Sequence, residues 1–270
     1  MKNFYAPFQP LLTDTGLRSF SFKMQQCPVS PGLRGIVHSY LQISTPKISD
    51  YPVIPDGTQA LYVSKYGTMI SGGLTRALEL KLPSSGEYFG IRFFPGALRH
   101  LFRVNINEIG SGMIDGKFLP SPFITHLHET IFHYAGFHSR AKICDKWLLQ
   151  QKARQPLNVF DQALDCIYKS SGNIKITQDL SAHVGVSSRH LNRLFQQHTG
   201  LSTKSFAQTI RFQHACKYLS EEPENSLKVA LETGYFDQAH LLKEFKARLN
   251  QSPVPFFNRF TSDLYNRNAF

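Results

Sequence analysis

Arg189, Asn192, Arg193 and Gln196 are the residues of this chain best suited to read the edge of a base pair. A guanidinium can bind guanine through two donors, and a primary amide can bind adenine through one donor and one acceptor. On a helix at about 100° per residue these four fall together, and Leu191, Leu194 and Phe195 fall together on the opposite side. One face of such a helix is built for burial and the other for donating hydrogen bonds. Ser188, at the tip of the same helix, completes the set. A solvated face usually carries acids too, yet none occurs between Asp179 and Glu221, a run of 41 residues holding five Lys or Arg and four His. A groove walled by phosphates repels carboxylates, which gives the missing acids a physical reason.

Positioning that helix requires a second one and a tight turn. Gly185 permits the turn, Ser181 and Ala182 are small where two helices would touch, and Leu180, Val184, Val186, Leu191 and Leu194 supply apolar contacts. Ser187 stands where a cap for the following helix is wanted. The spacing therefore predicts a helix-turn-helix.

The pattern occurs twice. Allowing one extra residue near the second turn, Gly185 pairs with Gly234, Leu191 with Leu241, Phe195 with Phe245, Ser202 with Ser252 and Phe206 with Phe256, so the units lie 49 residues apart. Between them Phe206, Ile210 and Leu219 recur at near-helical intervals, predicting one long connecting helix that ends at Pro223. A rigid spacer of that kind can set two reading helices in successive major grooves, about 34 Å apart. Asp237 and Glu244 make the second unit poorer in donors, so the first is expected to carry more of the base reading.

This arrangement resembles the AraC/XylS family of bacterial transcription regulators over roughly residues 158 to 258, through Ala182, Gly185, Leu191 and Phe195, the stretch ALETGYFDQAHLLKEFKARLNQSP, and Pro253 and Phe256. The resemblance implies that Arg189, Asn192 and Arg193 read DNA in the first unit, as the helical wheel also selects, and that Gln238, Ala239, His240 and Lys243 do so in the second. Asn250 stands where the family usually has Gly, and Thr203 where it usually has Pro; both types are tolerated at such turns. Double-stranded DNA is the implied partner. RNA polymerase, a small-molecule or protein effector and a second copy of the chain are the further partners such a regulator would take.

Before the repeat, the chain reads differently. Segments such as QALYVSKYG and EYFGIRFFPG are rich in β-branched and aromatic residues and are punctuated by PDG, GG, SSG and PG, which predicts a mostly antiparallel sheet in a small barrel or sandwich; the family resemblance implies that such a domain is cupin-like. Helical spacing follows from Leu98 to Glu108 and from Pro122 to about Gln151. The expected organisation is α+β: a β-rich sensor or dimerisation domain over 1–150, a linker over 151–157 around Pro156, and an all-α DNA-binding domain over 158–270. Phe123, Leu127, Ile131 and Tyr134 form a stripe that could pair two subunits, although packing on the chain's own sheet is the commoner fate of such a stripe.

Composition agrees with a basic DNA-binding protein. The net charge is +11, divided as +6 before residue 151 and +5 after, so charge alone does not locate the site. Cys27, Cys144, Cys166 and Cys216 are too scattered for a zinc pair or a disulfide framework, which points to reduced thiols in the cytoplasm. His126, His128, His133 and His138 cluster, but their spacing puts them on different helix faces, and no metal or cofactor is expected. No HExxH, GxSxG or phosphate-cradling GxxxxGK occurs, so an enzyme is not expected either. No run of about 18 apolar residues would span a membrane. The reading is a sequence-specific transcriptional regulator, with an activator favoured; an architectural DNA binder or a DNA-targeted enzyme are the alternatives.

Overall fold

The computed structural model describes residues 5–9, 23–46, 49–82, 85–110, 112–118, 122–151, 158–173 and 179–261. The described residues hold eight strands: β1 (Lys23–Cys27), β2 (Val37–Thr45), β3 (Ser49–Val53), β4 (Gln59–Ser64), β5 (Gly67–Ser71), β6 (Leu78–Leu82), β7 (Gly86–Phe93) and β8 (Met113–Asp115). Six of them form one antiparallel sheet in the order β1-β2-β7-β4-β5-β8, and β3 pairs with β6 in a separate ribbon. Helices α1 (Ala97–Phe102) and α2 (Ile106–Ile109) precede β8, and α3 (Pro122–Phe132) and α4 (Phe137–Gln151) follow it. The rest is helical: α5 (Val159–Lys169), α6 (Leu180–His183), α7 (Ser188–Thr199), α8 (Thr203–Glu221), α9 (Ser226–Glu232), α10 (Gln238–Leu249) and α11 (Pro253–Thr261).

Strands β2 and β7 lack a clear apolar-polar alternation because both of their faces are covered. Tyr40, Phe89, Ile91 and Phe93 pack with Leu127, Ile131, Phe137 and Leu148 of α3 and α4. On the other face Leu41, Ile43 and Tyr88 share one core with Phe212, Leu219 and Phe245 of the C-terminal helices. The helical half is therefore seated on the sheet. Both strands also bury polar residues, Ser39, Gln42 and Thr45 in β2 and Arg92 in β7.

Two loops of the N-terminal half complete that seat. At the start of β4, Gln59 Nε2 donates to the His198 carbonyl at 2.8 Å, and in the loop before it the Pro55 carbonyl accepts from Gln213 Nε2 of α8 at 2.8 Å. In the loop after β5, Arg248 Nη1 donates to the Thr75 carbonyl at 3.1 Å and Ala77 N donates to the Arg248 carbonyl at 2.7 Å. Gly73 in the same loop lies so close to the end of α7 that a Cβ there would fall 2.1 Å from the Thr199 carbonyl oxygen. The C-terminal ends of α7 and α10 are thus held by one loop.

Several sequence expectations change in detail. The helix expected from Leu98 to Glu108 is two helices, because Arg103 caps α1 in the left-handed region at φ 57°. The helix expected from Pro122 to Gln151 is also two, separated by a turn at Gly136 with φ 78°. Of the stripe, Leu127 and Ile131 are buried on the chain's own sheet and Tyr134 lies beyond the end of α3; the side chain of Phe123 lies outside the described residues. Of the expected linker, Gln151 closes α4; the remainder, Pro156 included, lies outside the described residues. His126 has no described side chain, while His133 meets Tyr134 edge-on and His138 lies tilted against Phe137.

Candidate nucleic-acid interface

The first unit consists of α6, a turn at Gly185 with φ 72°, and α7. Ser187 caps α7, its hydroxyl accepting from His190 N at 3.2 Å, and Ser181 of α6 bonds Ser188 of α7 through their hydroxyls at 2.9 Å. Leu191 and Phe195 are buried, and Phe195 lies between Phe160 and Phe206 with ring centroids 5.0 and 5.5 Å away. That packing fixes the roll of α7 and leaves Arg189, Arg193 and Gln196 exposed on the opposite side, with Ser188 exposed in the first turn. Arg193 Nη2 lies 3.1 Å from His190 Nδ1.

Asn192 is different. It is half-buried, and its Oδ1 accepts from Thr203 N at 3.1 Å. Thr203 is the first residue of α8, whose opening N–H groups have no partner within the helix. A proline at that position has no N–H to satisfy. The second unit shows this alternative: Pro253 opens α11 there, and the residue matching Asn192 is Leu242, which cannot accept a hydrogen bond. Asn192 and Thr203 form one solution, Leu242 and Pro253 the other. With one lone pair of its oxygen engaged by Thr203 N, Asn192 keeps its N–H2 group and the second lone pair to offer.

The second unit repeats the geometry with α9, Gly234 at φ 76°, and α10. Asp237 caps α10, its Oδ1 accepting from His240 N at 2.7 Å, and Leu241 and Phe245 are buried. Gln238, Ala239, His240 and Lys243 are exposed, although Gln238 Nε2 is held by Ser226 Oγ at 2.7 Å, as Ser188 is held by Ser181. His240 meets Tyr235 edge-on at 5.2 Å.

Matching the two helices from their caps pairs His190 with His240, Arg193 with Lys243 and Gln196 with Lys246. Lys246 is exposed and was missed from sequence, although counting from Ser187 and Asp237 finds it. The acids that were expected to weaken α10 do not face outward as free charges. Asp237 is the cap, and Glu244 is half-buried, with one oxygen 2.8 Å from Arg211 Nη2 and the other 2.8 Å from Arg248 Nε. Arg211 and Arg248 are themselves buried, over the rings of Tyr235 and Phe212. Helices α7 and α10 thus each carry basic side chains on the open side, and the carboxylates Asp237 and Glu244 are engaged within the chain.

Among the described residues no group of three or more His, Cys, Asp or Glu is arranged to hold a metal ion, and no helix is long and apolar enough to cross a membrane. A cavity of about 20 Å³ lies between the sheet and the docking loops, lined in part by Tyr62, Ser71, Leu74 and the buried pair Asp56 and Arg92, whose oxygen and nitrogen are 2.5 Å apart.

Comparison with known proteins agrees with the two-part layout. The family described as a helix-turn-helix domain matches residues 180–259, and a domain of unknown function, DUF6597, matches residues 25–115. The HTH-type transcriptional regulator GlxA of Rhizobium meliloti (strain 1021) is 38% identical over 69 residues, which is 26% of this chain and 21% of that protein. An uncharacterized HTH-type transcriptional regulator of Haemophilus influenzae is 34% identical over 94 residues, 35% of this chain and 32% of that protein. The match thus spans no more than about a third of the length of either relative. Among solved structures, ToxT from Vibrio cholerae aligns over 90% of this chain and 99% of its own, at 11% identity and a TM-score of 0.43.

Proposed function

From a C-terminal helix-turn-helix domain of the AraC type, we infer that this chain is a sequence-specific DNA-binding transcriptional regulator of bacterial cytoplasm, acting as an activator that engages RNA polymerase. One observation carries the reading: two capped helices, each rolled by its buried Leu and Phe so that Arg189, Arg193 and Gln196, or His240, Lys243 and Lys246, stand open together. Arginine and glutamine donors suit guanine and adenine edges, and the lysines suit phosphates. The site residues are Ser188, Arg189, Asn192, Arg193 and Gln196 in α7 and Gln238, Ala239, His240 and Lys243 in α10.

The division of labour is a sensor over 1–150, a linker over 151–157 and a DNA-binding domain over 158–270. The sensor takes a small-molecule or protein effector. The small cavity beside Asp56 and Arg92 supports this placement, since Ser71 at its edge leads directly into the loop that holds α7 and α10. A volume near 20 Å³ has room for about one water, so an effector that entered would have to spread the walls and move that loop. Iterative selection from random duplexes tests the reading. The wild-type chain should enrich one asymmetric sequence, and Arg193→Ala should lose preference at one base pair at a cost of about 1–3 kcal/mol. Equal weakening on every sequence would assign Arg193 to phosphate contact only, and enrichment of no sequence would refute sequence-specific regulation.

A further inference from the structure

The two units differ by one inserted residue in the turn, and the structure identifies it. In the first unit Val186 packs on the core around α5 to α7, and Ser187 caps. In the second, Tyr235 takes the buried place at 5% exposure and Asp237 takes the cap. Phe236 is left between them, 87% exposed, the most exposed large apolar side chain among the described residues. A hydrophobic residue just before a cap commonly packs on the fourth residue of the helix, here Leu241. Leu241 is fully buried and Phe236 is not, so this ring is not a staple. It stands at the N-terminal tip of α10, beside exposed Gln238, Ala239 and His240, with its backbone position fixed by the bond from His240 N to Asp237 Oδ1.

We propose that Phe236 reads the C5-methyl group of a thymine in the second half of the DNA site. The inference rests on the proposed function, with α10 entering a major groove by its N-terminal end. The thymine methyl is the apolar feature of the major-groove edge, and a Phe ring is among the side chains that contact it. Asn, Gln and Arg supply hydrogen-bond readout in α7; Phe236 gives α10 a means of base discrimination that needs no donor. This separates it from Leu227 and Leu231, which are exposed on α9 and away from the N-terminal tip of α10.

The test uses the full chain and the duplex it selects from random sequence. Each thymine in the second half is replaced singly by deoxyuridine, which deletes only the methyl group, and affinity is read by fluorescence anisotropy. One replacement should weaken wild-type binding about 3- to 10-fold, since burying one methyl-sized group is worth about 0.8 kcal/mol, or roughly 4-fold. Phe236→Ala should bind the thymine duplex more weakly by a similar factor and no longer distinguish thymine from uracil at that position, while Phe236→Leu keeps part of the preference. If the deoxyuridine profile is the same for wild type and Phe236→Ala, the proposal is overturned while sequence-specific binding stands. Unchanged DNA affinity of Phe236→Ala overturns it too, and points to a protein partner at this ring. Failure to enrich any sequence removes the proposed function itself and this inference with it. Unchanged thermal unfolding of Phe236→Ala, expected for so exposed a ring, confirms that the comparison is between folded proteins.

Discussion

Replacing Asn192 by Leu should destabilise the chain through Thr203, and replacing Thr203 by Pro should remove that penalty. The bond from Thr203 N to Asn192 Oδ1 is 3.1 Å long and only partly shielded, so its loss should cost about 1 kcal/mol, within the range of about 0.5–2 kcal/mol for a helix cap. Pro at the first position of α8 removes the N–H that needs an acceptor, and its fixed φ suits that position. The double variant then has the pair that the second unit already uses in Leu242 and Pro253. Urea unfolding of wild type, Asn192→Leu, Thr203→Pro and the double variant should give a coupling energy near 1 kcal/mol. By thermal unfolding the single Asn192→Leu change should lower Tm by about 2–4 °C for a chain of this size. Additivity of the two changes within about 0.3 kcal/mol would refute the capping role. If Asn192→Leu kept full stability and instead lost preference at one base pair, Asn192 would be a base reader first and its contact with Thr203 incidental.

Gly73→Ala would place a Cβ 2.1 Å from the Thr199 carbonyl oxygen and 2.9 Å from Leu201 Cγ, so the loop must shift; thermal unfolding should show a loss of about 1–3 kcal/mol, and an unchanged Tm would mean the loop does not bear on α7. Lys246→Ala should reduce the salt dependence of DNA affinity by about one counterion without changing the selected sequence, as read from affinities across a salt series. Acid should destabilise the chain through two imidazoles. His198 is pushed down to about 4 by burial first and then by Arg99, and His38 to about 4 by burial and then Arg92, whereas both titrate near 6.5 when unfolded. The unfolded chain therefore takes up protons that the folded one refuses, so the stability these groups contribute is complete above about pH 6.5 and is lost as pH falls toward 4. His198→Gln should flatten that slope in a Tm series, and a slope unchanged by the substitution would contradict the assignment.

The helix-turn-helix units were legible because their determinants are local. A Gly at the turn, a cap two or three residues later and apolar residues four apart define each unit, and Gly185, Ser187, Leu191 and Phe195 play the parts their spacing predicts. What was not legible depends on contacts between distant parts of the chain. The wheel selects Asn192 for the reading face but cannot show its bond to Thr203 N, because that partner lies eleven residues on, in the next helix. Glu244 looked like an exposed acid because Arg211 and Arg248 reach it only in the folded core. The need for one extra residue in the second turn was visible in the alignment, but which residue it is required knowing that Tyr235 is buried and Phe236 is not. The sheet's strands were readable from β-branched and aromatic runs. Their burial on two sides was not, since a run of such residues does not say what covers each face.

Hydroxyl-radical footprinting of the full chain on its selected duplex tests the central claim most directly. Two reading helices on one rigid body should protect two short patches of backbone, one helical turn or about 10 base pairs apart, with the stronger protection and the sharper base preference in the half contacted by Arg189 and Arg193. Uniform protection along the duplex, or a single patch unchanged by loss of Lys243 and Lys246, would contradict a two-helix reader.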